Sequence, residues 1–479
     1  MTSPTDSPLS SRPWVVLLAL ILLLRLASLA AIPLTDHTEA RYAEIARLML
    51  AMGDWISPHV TPTEVFWAKP PLSTWGQALT MAVFGVSEWA ARLPAVVWGA
   101  LTLTALAWML KISLTRVQIL VALVLLALSP LFFISAGAAM TDATLAACVM
   151  AVQAAWWRVV NSDGSARKAA GRLLGLAMAL ALLTKGPAAA VLALLPVFMH
   201  VAWRHHGEPM KAVLRDPVVW LICLGVALPW YIAAELKTPG FITYFVLGEH
   251  VMRFLQPGWT GDRYGFAHAQ PLGIIWPYTV LAGLPAVLVL LVALPLRRMQ
   301  SKLRSTFREN GGSDLACYAL CIVLAPLLLF SFARNLIWTY AMTALPGLAI
   351  LAVCVMPARV WGLKRSWGLF GVLVLVYGWA FFFKLPAMGA LYSEKPLIAA
   401  FERACGGQDC RLVYTAKPPY SAYFYTAGKL YGGMPGAAGA PSFKIVPRAK
   451  KSAAPIDALT CNKEQCLVRD DGVADPAVQ

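Results

Sequence analysis

The chain has 479 residues, 59% hydrophobic and 13% charged, with a formal net charge of +16 and a mean hydropathy of +0.65. Soluble domains carry about 25% charged residues, so the composition excludes an ordinary soluble fold and indicates a polytopic membrane protein. The excess of Lys and Arg does not indicate nucleic acid, because these residues sit mainly in short loops between apolar runs, where they act as topology signals.

Apolar spans of membrane-crossing length fall at about 14–34, 93–110, 117–135, 138–157, 172–184, 187–203, 217–235, 272–296, 315–333, 338–357 and 367–385, about eleven in all. The first is too long for a signal peptide, and no small-residue cleavage site follows it. Next comes the charged and aromatic stretch Asp36–Trp75, which opens with Asp36, Glu39, Arg41 and Tyr42. From Glu39 to Met52, Tyr42, Ile45 or Ala46, and Met49 share a stripe at helical spacing, with Arg41, Glu44 and Arg47 elsewhere. That pattern predicts a helix on the membrane surface, ended by Gly53; Pro70–Pro71 after Lys69 predicts an extended corner.

Further along, Asp142 follows Thr141 at the mouth of a span, and Lys185 lies in Thr184-Lys185-Gly186-Pro187 between two spans. A long polar loop covers Glu235–Pro271, and Arg334 to Tyr340 links two later spans. With the N-terminus cytoplasmic, the alternate loops carry Lys111 and Arg116; Arg158, Arg167, Lys168 and Arg172; Arg204, Lys211 and Arg215; Arg297, Arg298, Lys302, Arg304 and Arg308; and Arg359, Lys364 and Arg365. These loops hold almost no acid, as the positive-inside rule requires. Eleven crossings then leave the C-terminal tail outside, together with every polar segment described above.

The tail from about 386 is rich in Gly, Pro, Lys and Tyr, with β-prone runs at Arg411–Tyr414 and Phe443–Val446, and predicts a small mixed domain with a disordered end after Asp470. Five cysteines lie in apolar runs as small buried hydrophobes. Cys405, Cys410, Cys461 and Cys466 form two C-x4-C pairs in the tail, suited to local or crossed disulfides in an oxidising compartment, with a structural zinc site as the competing reading. The expected organisation is an all-α polytopic membrane domain, 1–385, that includes outer loops 35–92 and 236–271, followed by a small mixed α/β domain, 386–479. Gly311–Gly312 is a lone turn and not a phosphate-cradling loop.

Carboxylates at the edge of lipid pair with a cation or carry function. Asp36, Glu39 and Asp142 all fall at outer helix ends, where they can act as general base or position an acceptor; the competing roles are helix capping and pairing with Arg41 and Arg92. Arg41, Lys69, Lys185, Arg253 and Arg334 come from five outer segments and suit a phosphate or pyrophosphate. Tyr42 and Tyr340 join this set, Tyr340 also reading as an interfacial anchor. Glu249, His250 and His268 offer divalent-metal ligands, against the alternative of ordinary hydrogen-bonded histidines.

Taken together, Glu39-Ala-Arg-Tyr-Ala-Glu-Ile-Ala, Gly53-Asp-Trp, Lys69-Pro-Pro-Leu, Ala91-Arg-Leu-Pro, Thr141-Asp142, Thr184-Lys-Gly-Pro, Pro229-Trp-Tyr, Gly248-Glu-His, Arg253-Phe and Thr339-Tyr340 resemble the GT-C superfamily of membrane glycosyltransferases. The similar branch contains the lipid A aminoarabinose (4-amino-4-deoxy-L-arabinose) transferases and bacterial relatives of protein O-mannosyltransferases. The resemblance implies GT-C architecture in a bacterial inner membrane, with an undecaprenyl-phosphate-linked sugar as donor. Transfer would invert the anomeric carbon, and the acceptor would be lipid A, lipopolysaccharide or another envelope glycan on the periplasmic face. It implies that the first-loop acid and Asp142 line the cavity, while Arg41, Lys69, Lys185 and Tyr340 hold the lipid phosphate. Two departures stand out. Thr38-Glu39 replaces the family's acidic pair, with Asp36 two residues earlier, and Ala68 replaces a Glu before Lys-Pro-Pro, so a Zn or Mg ion at His268 would need Glu64 as substitute. Transfer to protein Ser or Thr is the second expectation. A lipid-linked sugar flippase would need polar residues along the whole path and fits less well.

Overall fold

The computed structural model describes residues 10–36, 38–265, 268–293, 314–437, 440–448 and 457–470. The basic segment Arg297–Arg308, the Gly311–Gly312 turn and the tail beyond Asp470 lie outside the described residues.

The first half of the chain is a succession of helices with legible boundaries. Helix α1 (Arg12–Ala27) carries Pro13 in its first turn. Helix α2 (Glu39–Met52) is closed by Gly53 at φ 68°, a left-handed cap that costs glycine little. A hairpin of β1 (His59–Thr61) and β2 (Glu64–Val65) follows. Helix α3 (Leu72–Phe84) begins directly after the double proline. In α4 (Glu88–Leu110) the Ser87 side chain accepts the Ala90 N–H, and α5 (Arg116–Ala127) opens with a capping box of Thr115 and Gln118. Short α6 (Pro130–Ser135) leads to α7 (Asp142–Val160). Then come α8 (Gly164–Lys185), α9 (Pro187–Arg204) and α10 (Gly207–Arg215). Helix α11 (Pro217–Lys237) starts where the Asp216 carboxylate accepts the Val218 N–H at 3.0 Å.

All eleven apolar intervals expected from the sequence contain helix. Among the described residues, eight helices are long and apolar enough to cross a membrane, and the pair Ile275–Ala282 and Ala286–Ala293, bent by 99°, is a ninth candidate. Gly283 and Pro285 fall in the break, where a continuous ladder cannot form. Of the other two, α5 has only 12 residues, and α8 carries Arg167, Lys168 and Arg172 in its first half. Helix α7 and the stretch Trp338–Val355 are each 83% buried and form the centre of the bundle, whereas Lys364–Ala390 is only 11% buried. The exposed apolar side chains of the outer helices, such as Leu221 and Leu375, face where lipid would lie.

After Ala390 the chain forms a four-stranded sheet in the order β3 (Arg411–Tyr414), β4 (Ser442–Pro447), β6 (Gln465–Arg469), β5 (Ala458–Cys461). β3 and β4 are parallel and the other pairs antiparallel. The helix Lys395–Cys405 buries Leu397, Ile398 and Phe401 against Leu412, Phe443, Ile445 and Leu467 of the sheet. Both cysteine pairs are bridged locally, Cys405 to Cys410 and Cys461 to Cys466.

The C-terminal unit sits on α2. Its short helix Tyr420–Tyr425 packs there, with Phe424 in the same apolar cluster as Ala43, Ala46 and Met49. The expected picture of α2 as a surface helix with Glu44 and Arg47 exposed is therefore corrected. Glu44 is 0% and Arg47 7% exposed, and they pair at 2.7 Å. The pattern misled because the second covering layer comes from almost 400 residues away in the chain, where Arg47 also donates to Ala427 O.

Candidate active site

Several separate segments of the chain, from Thr38 to Tyr420, converge on a cavity of about 530 Å³. Asp142 occupies the first turn of α7, is 3% exposed, and accepts a hydrogen bond from Lys185 Nζ at 2.8 Å. Lys185 is the last residue of α8 and lies 5.7 Å from the Tyr340 ring centroid. The α8–α9 junction is fixed by Gly186 at φ 57°, where a Cβ would lie 2.5 Å from the Phe245 ring; only glycine fits. Pro187 then starts α9 at once, so Lys185 is held in place between two rigid helices.

On the facing wall, Glu249 is a hub. Its buried carboxylate accepts from Lys69 Nζ at 3.1 Å, from the Tyr244 hydroxyl at 3.1 Å and from Arg253 at 3.2 Å. Arg253 also meets Asp262 at 3.1 Å. Burial pushes the Glu249 carboxyl up, but Lys69 and Arg253 more than offset this and hold it below the ordinary carboxylate range. Arg41 donates to the Tyr264 backbone carbonyl and lies over the rings of Tyr42 and Phe66.

Four cations, Arg41, Lys69, Lys185 and Arg253, thus line the cavity against three carboxylates, Asp142, Glu249 and Asp262. Several polar atoms buried in its wall lack a hydrogen-bond partner: Arg41 Nε, Arg253 Nε, and the hydroxyls of Thr339 and Thr343. Buried donors without acceptors are costly, and an anion of several oxygens would satisfy them. Apolar Leu145, Leu192, Phe254 and Phe330 line the same space, which makes it amphipathic.

Of the residues expected to act, Arg41, Tyr42, Lys69, Asp142, Lys185, Arg253 and Tyr340 are brought together here. Asp36, Glu39 and Arg334 do not line this cavity. Glu39 forms a two-pronged pair with Arg92 at 2.7 Å on both oxygens and accepts the Ala139 N–H at 3.0 Å. Asp36 accepts the Ser421 N–H at 3.0 Å and its hydroxyl, tying α2 to the C-terminal unit. Both acids border a separate cavity of about 340 Å³ beside Arg25 and Arg92. Thr38, in the position of the missing acidic residue, does line the main cavity.

The suggested metal ligands do not converge either. Glu64 is exposed on the β2 hairpin. The two ring nitrogens of His250 lie 2.7 Å from Phe245 O and 3.0 Å from Lys185 O, so both face carbonyls. His268 lines the cavity, and its imidazole is held below the usual value by burial and then by Arg253. The one group of three metal-type side chains among the described residues is His200, His206 and Asp314, in another part of the molecule. There Arg204 already holds Asp314 at 2.8 Å.

Sequence reasoning missed Asn335, Tyr264 and Tyr420, which line the cavity. Asn335 holds the loop by donating to Arg253 O at 2.6 Å and Gln256 O at 2.7 Å, and its own carbonyl accepts the Gly258 N–H at 3.0 Å. An amide beside Arg334 in an apolar stretch was a usable signal for Asn335. Tyr420 arrives from the C-terminal unit and carried none.

The resemblance to GT-C membrane glycosyltransferases that the motifs carry is matched by comparison with known proteins. Residues 14–245 match the family described as dolichyl-phosphate-mannose-protein mannosyltransferase. The chain is 30% identical over 346 residues to the undecaprenyl phosphate-alpha-4-amino-4-deoxy-L-arabinose arabinosyl transferase of Enterobacter sp. (strain 638), covering 70% of this chain and 58% of that protein. It is 29% identical over 317 residues to the protein of the same name from Erwinia tasmaniensis, covering 65% and 54%. The chain thus spans just over half the length of these curated relatives. Its structure is similar to that of ArnT from Cupriavidus metallidurans bound to undecaprenyl phosphate, with a TM-score of 0.71 at 18% identity over 98% of this chain and 100% of that one.

Proposed function

We propose that this protein is an inverting glycosyltransferase that moves a sugar from a polyprenyl phosphate to lipid A or another envelope acceptor. The observation that carries this reading is the amphipathic cavity, where four cations and several partnerless buried donors face apolar side chains. A lipid phosphate satisfies both halves. Lys69, Arg253, Arg41 and Lys185 hold the phosphate, with Tyr340 beside Lys185. The acceptor oxygen attacks the anomeric carbon opposite the phosphate; the carbon–oxygen bond to phosphate breaks, and its electron pair leaves on the phosphate, where the cations stabilise the growing charge.

Asp142 is the carboxylate best placed to meet an acceptor, since Glu39 and Asp36 are committed elsewhere. An acceptor hydroxyl would give its proton to Asp142, whereas an acceptor phosphate needs only orientation. No step is assigned to a divalent metal, because Glu64, His250 and His268 do not assemble a donor set.

In this reading the chain crosses a bacterial inner membrane eleven times from a cytoplasmic N-terminus, and the cavity and the bridged C-terminal unit face the periplasm. Support comes from geometry: the charged residues gathered in the cavity all come from segments that charge assigns to the outer side, opposite Lys111, Arg158, Lys168 and Arg215. The match to protein mannosyltransferases favours a second acceptor, protein Ser or Thr.

Membranes supplied with radiolabelled undecaprenyl-phosphate sugars test the reading. Label is expected in lipid A with wild type and at least about 100-fold less with Lys69→Ala or Asp142→Asn. Label in protein instead supports the second acceptor, and donor crossing the bilayer without any transfer would overturn the enzyme reading.

A further inference from the structure

Two surface features meet at Pro217, far from the main cavity. The first is a cavity of about 460 Å³ between the start of α8, the end of α10 and the start of α11. Its charged lining is Arg167, Lys168, Arg172 and Arg215 against the single acid Asp216. Arg167 is committed to its own helix start, donating to Ser162 O at 2.8 Å and Asp163 at 2.6 Å. Arg172 reaches Asp216 at 3.2 Å, but the other oxygen of that acid caps α11. Lys168 and Arg215 are exposed and have no hydrogen bond or ion pair among the described residues. Glu208 also lies within electrostatic reach of Arg215, yet among the described residues the cations of this cavity outnumber the acids beside them.

The second feature is an apolar groove along α11, about 480 Å³, running from Pro217 past Trp220, Leu221 and Leu224 to Gly225. Leu221 is 72% exposed, and at Gly225 no atom lies within 4 Å of where a Cβ would be, so the groove floor stays open. The Trp220 indole N–H donates to Leu214 O at 2.9 Å, which fixes the ring as one wall. A basic cavity thus opens directly onto an apolar channel on a helix long and apolar enough to cross a membrane.

We infer that this is a binding site for an anionic phospholipid. The headgroup phosphate sits among Lys168, Arg172 and Arg215, and an acyl chain lies along the α11 groove. Basic pockets between membrane helices bind anionic headgroups, each cation contributing on the order of 1 kcal/mol. The site is not the donor site. Arg172 and Lys185 are thirteen residues apart on α8, about 20 Å along a helix, and the two cavities share no residue.

Native mass spectrometry of the purified full chain in detergent tests the proposal with phosphatidylglycerol, phosphatidylcholine, polyprenyl phosphate and inorganic phosphate as separate probes. Phosphatidylglycerol should be retained over phosphatidylcholine, and K168Q/R215Q should lower its retention about tenfold while leaving phosphatidylcholine retention and thermal unfolding unchanged. Leu221→Asn should also weaken retention, and Lys69→Ala, in the main cavity, should not. Equal retention of the two phospholipids would overturn the proposal. So would K168Q/R215Q binding phosphatidylglycerol like wild type, or displacement of the lipid by inorganic phosphate or by polyprenyl phosphate at comparable concentration.

Discussion

Glu39 and Asp142 are both acids at the start of a helix, both paired with a cation, and chain pattern alone does not separate them. Their surroundings do. Glu39 gives both oxygens to Arg92 and one also to a backbone N–H, all in a wall between α2, α4 and the segment before α7. Arg92 in turn donates to Leu29 O at 2.7 Å and Pro33 O at 3.2 Å, so the pair fastens the chain leaving α1. Removing one partner of a buried pair costs about 3–5 kcal/mol. Glu39→Gln is accordingly expected to lower the thermal unfolding midpoint strongly, with whatever protein stays folded still binding donor. Asp142→Asn likewise leaves Lys185 without a counter-charge, so what separates the two is transfer: the folded Asp142→Asn protein should lose it, and the folded Glu39→Gln protein should retain donor binding. Equal unfolding midpoints for Glu39→Gln and wild type would show that Glu39 is not the fastener described.

At the scale of elements, the junction of α8 and α9 sets the position of Lys185. Thr184-Lys185-Gly186-Pro187 was readable as a break between two spans, and the reason for the glycine appears only in three dimensions, where Phe245 occupies the place of a Cβ. Gly186→Ala must move either the ring or the junction, and a residue with a Cβ also resists φ 57°. It is expected to cut transfer at least tenfold through Lys185 while sparing expression; full activity would show that the junction tolerates the shift. The same limit explains α2. Its period and its glycine stop were legible, whereas the layer that buries Glu44 and Arg47 comes from Ala427 and the helix Tyr420–Tyr425. Local pattern reports which face of a helix is apolar, and a polar face satisfied by a distant segment looks the same as one facing water.

For the molecule as a whole, the succession of apolar spans, the gathering of cations from separate segments and a small cysteine-bearing C-terminal unit followed from composition and charge. What did not follow was the way that unit is fastened. Asp36 accepts from Ser421 and Tyr425 donates to Glu88 at 3.1 Å, while inside the unit Glu394 is buried between Tyr414 at 2.9 Å and Asn462 at 2.7 Å. These partners are separated by up to 385 residues, and no local period encodes them. Burial pushes the Glu394 carboxyl up to about 7, despite its hydrogen bonds from Tyr414 and Asn462. The folded state therefore holds a proton that the unfolded chain releases near 4.3. Stability from this group is fully present below that value and is lost as pH rises through about 7. The C-terminal unit is expected to unfold or detach at lower temperature at pH 8 than at pH 5.5, and Glu394→Gln should flatten that difference. A difference unchanged in the variant would assign the pH dependence to other groups.

The central claim is that the cations of the main cavity hold a lipid phosphate. Its most direct measurement is equilibrium binding of undecaprenyl phosphate to the purified protein, comparing wild type with Lys69→Ala and Arg253→Gln. Saturable binding weakened at least about tenfold by each substitution, with unfolding midpoints still cooperative, is the predicted result. Binding of equal strength in all three proteins would contradict it and move the phosphate site out of this cavity.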